Sequence, residues 1–120
     1  MKAEKIYDIK ERTFQFAVAI VQFVNELPKT TAGYALGRQL IRSGTSIGAN
    51  VEEAAGARTK KEFINAMNIA KREARETLFW LRVIAQAGLV SLQIIQPVLS
   101  EADELVRILT TIVKRAEGHS

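Results

Sequence analysis

Apolar side chains recur along this chain at intervals of three and four residues, the period of an α-helix. No stretch keeps the strict alternation of a half-buried strand. Four amphipathic helices are predicted, over residues 9–26, 32–55, 60–87 and 91–115. In the first, Phe14, Phe16, Ala17, Val18, Ile20, Val21, Phe23, Val24 and Leu27 are apolar. At about 100° per residue they cover an arc of about 220°, where a single core needs little over ~100°. The excess implies burial on two sides. The second side faces either another subunit or the depth of the chain's own bundle. Phe16, Ile20 and Phe23 are the candidate interface residues here. Pro28 ends the helix, because the residue before proline avoids helical dihedrals.

The second helix is predicted to start at Thr31, as an N-cap, and to stop at Gly56. It carries Gly37, Gly44 and Gly48, each costing about 1 kcal/mol against alanine in a helix. Gly44 and Gly48 are four residues apart, share a face and permit close helix approach. The third helix opens on a capping box, Thr59-Lys60-Lys61-Glu62, and stops at Gly88. At ~1.5 Å per residue it is a rod of about 40 Å. Its core stripe is Phe63, Met67, Ala70, Ala74, Leu78, Leu81, Ile84 and Ala85. Glu62, Glu73 and Glu76 fall on one flank. Lys61, Lys71, Arg72, Arg75 and Arg82 fall on the other, with Phe79 among them and Asn65, Asn68 and Gln86 nearby. The fourth helix has Ser91 as a cap and Pro97 inside, which predicts a kink or a short first turn. Val98, Ala102, Leu105, Leu109 and Ile112 form its stripe, widened by Val106 and Val113, and the tail from residue 116 is expected to fray. Short connections favour antiparallel neighbours. The expected fold is therefore all-α, an antiparallel up-down-up-down four-helix bundle forming one domain over residues 1–120.

Composition fits an ordinary folded soluble protein: of 120 residues, 48% are hydrophobic and 25% charged. No apolar run reaches the ~18 residues of a membrane span, and the first residues hold no signal-peptide core. A cytoplasmic location without membrane partners is the expectation. The absence of cysteine excludes disulfides and thiolate metal sites. The net charge of +4 is unevenly placed. Residues 29–75 hold nine basic and four acidic side chains, a local +5, while the flanking segments nearly balance. A basic segment of this kind is either a nucleic-acid footprint or a solvated helical face.

No reaction centre emerges. Gly44-Thr45-Ser46-Ile47-Gly48 matches G-x-S-x-G, and Ser46, Asp103 and His119 follow in hydrolase order. That motif works only on a sharp strand-to-helix turn. Here it falls within a predicted helix, and the histidine is next to last. No glutamate–histidine pair has di-iron spacing outside the tail, and neither P-loop nor dinucleotide glycine spacing occurs. No cofactor and no metal are expected, and the protein is expected not to be an enzyme. The candidate RNA-binding set is Arg38, Arg58, Lys60, Lys61, Lys71, Arg72, Arg75 and Arg82, because phosphate contacts need lysine or arginine. Phe79, with Val83, reads in two ways. It is a hydrophobic anchor at a subunit interface, or an exposed aromatic on which a base stacks. Arg42, Ser46, Asn50 and Glu53 lie near one face of the second helix, where Glu73 and Glu76 of the third can meet Arg42. Such a buried polar network would set helix register.

The run Gln39-Leu40-Ile41-Arg42-Ser43-Gly44-Thr45-Ser46-Ile47-Gly48-Ala49-Asn50, then Glu53-Ala54-Ala55-Gly56-Ala57, Lys61-Glu62-Phe63, Lys71-Arg72-Glu73-Ala74-Arg75-Glu76-Thr77 and Trp80-Leu81, carries a family resemblance. The chain resembles the small four helix bundle proteins related to the 23S rRNA intervening-sequence proteins, encoded within insertions in bacterial large-subunit rRNA genes or elsewhere. Many relatives have proline where Gly48 stands. The resemblance implies an antiparallel four-helix bundle in a ring-like homopentamer. It extends more distantly to accessory proteins of diversity-generating retroelements, pentamers that bind RNA and a reverse transcriptase. The expected function is a non-enzymatic homo-oligomer whose basic surface binds RNA, ribosomal or similar. The alternative is a protein-interaction scaffold with no nucleic-acid role.

Overall fold

The computed structural model describes the backbone of residues 3–118 and the side chains of residues 8–118. Four helices occur in it: α1 (Ala3–Val24), α2 (Thr31–Ala55), α3 (Lys60–Ala87) and α4 (Leu92–Ala116). No strand is present among the described residues. α3 has its predicted bounds, and α2 starts one residue before its predicted start and stops at the predicted residue. α1 begins six residues earlier than the apolar pattern indicated and ends two residues sooner. Its first turns carry little of the apolar stripe, so periodicity alone could not find them.

Local chemistry explains most boundaries. Thr30, not Thr31, caps α2: it is extended, and its side chain accepts a hydrogen bond from the Gly33 N–H. Thr59 accepts from the Glu62 N–H at 3.1 Å. The Glu62 carboxylate reaches back to the Arg58 N–H at 2.9 Å, one residue before the partner an ideal capping box uses. α3 ends where Gly88 adopts the left-handed conformation (φ 69°), which places the Leu89 N–H on the Ile84 carbonyl. Ser91 caps α4 by accepting from the Ile94 N–H. Pro97 lies in the second turn of α4, and the helix runs through it. Proline has no N–H for the Gln93 carbonyl, and Gln93 is exposed, so water can take that place.

One core serves all four helices. It is built on Ile9, Phe16, Ile20 and Phe23 of α1, Leu40, Ile47 and Val51 of α2, Met67, Leu81 and Ile84 of α3, and Ile95, Leu105, Leu109 and Val113 of α4. Each helix packs closely on the next in sequence, and the α1–α4 seam is the most open side. α1 and α2 approach closely at two glycines. A Cβ placed on Gly44 would lie 2.9 Å from Ile20 Cγ2, and one on Gly48 would lie 3.2 Å from the Thr13 carbonyl oxygen. The helix-propensity cost of these glycines is offset by contact that no larger residue permits. The molecule measures 45 × 24 × 20 Å, its length set by α3.

Candidate nucleic-acid interface

On α3, Met67, Ala70, Ala74, Thr77, Leu81 and Ile84 are buried and fix which face turns inward. Helical geometry then sends Lys61, Asn65, Asn68, Arg72, Arg75, Phe79, Arg82 and Gln86 to one outer stripe, because they succeed one another at alternating steps of four and three. Arg72, Arg75 and Arg82 are exposed, as is Lys61 at the first turn. None of these four cations has a carboxylate within ion-pair distance among the described residues. Glu62, Glu73 and Glu76 lie on the flank toward α2, and no acidic side chain interrupts the stripe. Phe79 stands between Arg75 and Arg82 and is 53% exposed. Its ring meets that of Trp80 edge-on, with centroids 5.2 Å apart.

The remaining basic candidates are distributed differently. Lys71 is half-buried on the α4 side of α3. Lys60 and Arg58 are exposed where the chain turns into α3 and extend the stripe's end. Arg38 is exposed on the outer surface of α2, away from Leu40, and does not share the stripe.

The polar cluster between α2 and α3 is smaller and wetter than the sequence indicated. Arg42 pairs with Glu73 at 3.3 Å and with Glu76, and it also donates to Gln39. Trp80 Nε1 donates to the Glu76 carboxylate at 3.0 Å. The Arg42 side chain is half exposed, so this is a surface network and not a buried one. Its position above the helix pair, outside the packed stripe, keeps the guanidinium in contact with water. Ser46 and Asn50 bond only to each other along α2, where Asn50 Nδ2 donates to the Ser46 carbonyl and hydroxyl. Glu53 is exposed and takes no part. The buried polar contact is a different pair, Ser43 and Thr77, whose hydroxyl oxygens are 2.9 Å apart. Both lie on the core faces of their helices. Their spacing from Leu40 and Ile47, and from Ala74 and Leu81, was the available signal.

The proposed interface residues on α1 require correction. Phe16, Ile20 and Phe23 are buried within the bundle, at 2%, 0% and 5% exposure. The glycines of α2 draw that face of α1 inward. Its other apolar stripe, Phe14, Val18 and Val21, is exposed, and Tyr34 and Ile41 are exposed on α2. Thus the chain buries one apolar stripe of α1, the one that holds Phe16, Ile20 and Phe23, and leaves the other exposed. Val83 is half-buried.

Other concave or reactive features account for themselves. A cleft of about 380 Å³ opens at the α1–α4 seam, lined by Ile9, Ile108, Ile112, Arg12, Arg107 and Arg115. Two of its arginines are already partnered. Arg12 forks onto Glu101 at 2.7 and 2.8 Å, and Arg107 pairs with Asp103. The hydrogen bond to Glu101 holds the Arg12 guanidinium above its ordinary pKa, against a smaller opposing effect of burial. Ser46 sits in the middle of uninterrupted α2, so the G-x-S-x-G run forms no exposed elbow. Asp103 is committed to Arg107, and His119 lies outside the described residues. No cluster of metal-ligating side chains occurs among the described residues, and no helix there is long and apolar enough to cross a membrane.

No curated protein matches the sequence. A similar solved structure is the crystal structure of a protein of unknown function from the S23 ribosomal protein family of Bacteroides thetaiotaomicron. It is 34% identical, covers 88% of this chain and 98% of its own, and superposes with a TM-score of 0.81. Residues 5–111 match the family model described as 23S rRNA-intervening sequence protein. Four packed helices, the α2–α3 motif in its observed setting, and these two likenesses agree: the chain belongs to the 23S rRNA-intervening sequence protein family.

Proposed function

We propose that this protein is a non-enzymatic, cytoplasmic, homo-oligomeric bundle that binds structured RNA, ribosomal or similar, along the outer face of α3. The observation that carries this reading is the α3 stripe, where Lys61, Arg72, Arg75 and Arg82 are exposed with no carboxylate within ion-pair distance among the described residues. Of the other arginines, Arg12, Arg42 and Arg107 pair with carboxylates, while among the described residues no ion pair holds Arg38, Arg58 or Arg115. A polyanion supplies the missing partners and releases counterions on binding. Lys60 and Arg58 prolong the surface, while Arg38 and Lys71 contribute at its margins. The family's association with 23S rRNA gene insertions supports RNA as the polyanion.

The protomer is read as one antiparallel up-down-up-down domain. Connections of a few residues, and the Gly37–Val24, Gly44–Ile20 and Gly48–Thr13 approaches, which run in opposite chain directions, support that topology. We assign the exposed α1–α2 apolar face (Phe14, Val18, Val21, Tyr34, Ile41) to the contact between copies, in a ring-like homopentamer as the family resemblance implies. Each added copy multiplies the cationic stripe.

The test is fluorescence anisotropy of the protein with rRNA fragments over a salt series. Affinity falls steeply with salt, and Arg72→Glu with Arg75→Glu weakens binding and flattens the salt slope by about one unit per lost phosphate contact. Light scattering should give five times the protomer mass, and Val18→Glu should reduce it. No binding in moderate salt by the intact oligomer would remove the RNA reading. The exposed α1–α2 face would then favour a protein-interaction scaffold, whose partner survives nuclease and high salt in a pull-down.

A further inference from the structure

We propose that Phe79 is a stacking platform for an unpaired nucleobase, so that the α3 face takes RNA carrying a bulge or loop in preference to an uninterrupted duplex. This rests on the RNA reading of that face and narrows its ligand.

Phe79 is the most exposed large apolar side chain of α3, with more than half its surface in solvent, against 39% for Ile69. Leaving an aromatic of this size exposed forfeits burial free energy, so it calls for an occupant. The residues that flank it along the stripe are polar, and Val83, one turn on at the stripe's edge, is half-buried. Arg75 is one turn before it and Arg82 one turn after, at about 6 Å and 4.5 Å along the axis. Asn68 and Gln86 lie farther out, each able to donate and accept at a base edge. An apolar protein surface would leave those two guanidiniums desolvated and unpaired, at high cost. A nucleotide meets both demands, because its π-face suits the ring and its phosphates suit the flanking cations.

The ring is also braced from behind. Trp80 meets Phe79 at an interplanar angle of 68°, edge to face. The indole is itself held, since Nε1 donates to Glu76 and Glu76 pairs with Arg42 of α2. Phe79 therefore loses less side-chain freedom on binding than an unsupported aromatic would. In a continuous duplex each base face is covered by its neighbour, and the A-form major groove is too narrow for side chains. Only a base already out of the stack can meet Phe79, which makes an unpaired nucleotide the recognised feature.

The experiment uses the full-length protein and three labelled RNAs of matched length: a perfect blunt-ended duplex, the same duplex with a one-nucleotide bulge, and a single strand. The bulged base is 2-aminopurine, whose fluorescence falls on stacking. The wild-type protein is expected to bind the bulged and single-stranded forms more tightly than the perfect duplex and to quench the probe. Phe79→Ala should lower affinity for those two forms by roughly 5- to 150-fold, from stacking on the order of 1–3 kcal/mol. It should abolish the quenching and leave perfect-duplex affinity and salt slope unchanged. Phe79→Tyr should retain both properties. Equal losses for all three RNAs, or unchanged affinity for the bulged form, would overturn the inference while leaving RNA binding in place. A drop in oligomer mass for Phe79→Ala would overturn it in favour of a subunit contact at Phe79. Absence of wild-type binding to every RNA, with the oligomer intact, would remove the parent reading and this one together.

Discussion

Replacing Thr77 with valine should cost more stability than replacing its partner Ser43 with alanine, although both lose one hydroxyl. Both side chains are fully buried, at 0% exposure. Thr77 Oγ1 is 2.8 Å from the Glu73 carbonyl and 2.9 Å from Ser43 Oγ. Thr77 has one hydroxyl proton. With that proton on the Glu73 carbonyl, the second contact is closed by the Ser43 proton, which makes Thr77 the acceptor for Ser43. In Ser43→Ala, Thr77 keeps the Glu73 carbonyl, so the loss is one net hydrogen bond, about 0.5–1.5 kcal/mol. In Thr77→Val, the Ser43 hydroxyl is left in the core without its partner, which costs about 1–3 kcal/mol. The Glu73 carbonyl still has its helical N–H partner and adds little. The double variant removes both hydroxyls and should be more stable than Thr77→Val alone. Urea unfolding followed by Trp80 fluorescence measures all three, at one fixed protomer concentration because association shifts apparent stability. At this chain length, 1 kcal/mol moves Tm by roughly 3–6 °C. Equal losses in the two single variants, or a double variant at the sum of both, would refute the orphaned-hydroxyl reasoning. They would mean that Ser43 turns back onto the Gln39 carbonyl at no cost.

Gly44→Val should destabilise by about 1–3 kcal/mol, since a Cβ there already meets Ile20 Cγ2 at 2.9 Å; adding Ile20→Ala should recover part of that loss in the same urea titration. Gly88→Ala should cost about 1–2 kcal/mol from its own backbone at φ 69° alone, since no neighbouring residue lies within 4 Å of the added carbon; thermal unfolding reads this directly. Thr59→Ala should cost about 1 kcal/mol and speed amide exchange in the first turn of α3, where the Glu62 N–H loses its cap.

Much of the fold was legible because helices announce themselves locally. The Thr59 cap, the Gly88 stop and the 3.6-residue stripe of α3 all depend on residues within a turn or two of one another. The start of α1 was missed because its early turns lack that stripe. The Thr30 cap was displaced by one residue because adjacent threonines carry the same signal. Pro97 was expected to kink α4 or shorten its first turn, and the helix runs through it. The one carbonyl that loses its N–H partner, that of Gln93, lies at an exposed position.

At the candidate site the division is similar. The sequence by itself determined the helical period, the caps, the excess charge of residues 29–75 and the gathering of Lys61, Arg72, Arg75 and Arg82 on one side of a helix. All are consequences of covalent order and helix geometry. Which of the two apolar faces of α1 turns inward was decided only in three dimensions. Both faces are apolar, and the choice belongs to the glycines of α2, which let Ile20 approach to van der Waals distance. Tertiary structure likewise decided that Ser43 and Thr77 form the buried pair and that Arg42 stays at the surface. It also decided that, among the described residues, Lys61, Arg72, Arg75 and Arg82 form no ion pair with another helix. Periodicity assigns a residue to a face; only packing says what that face meets.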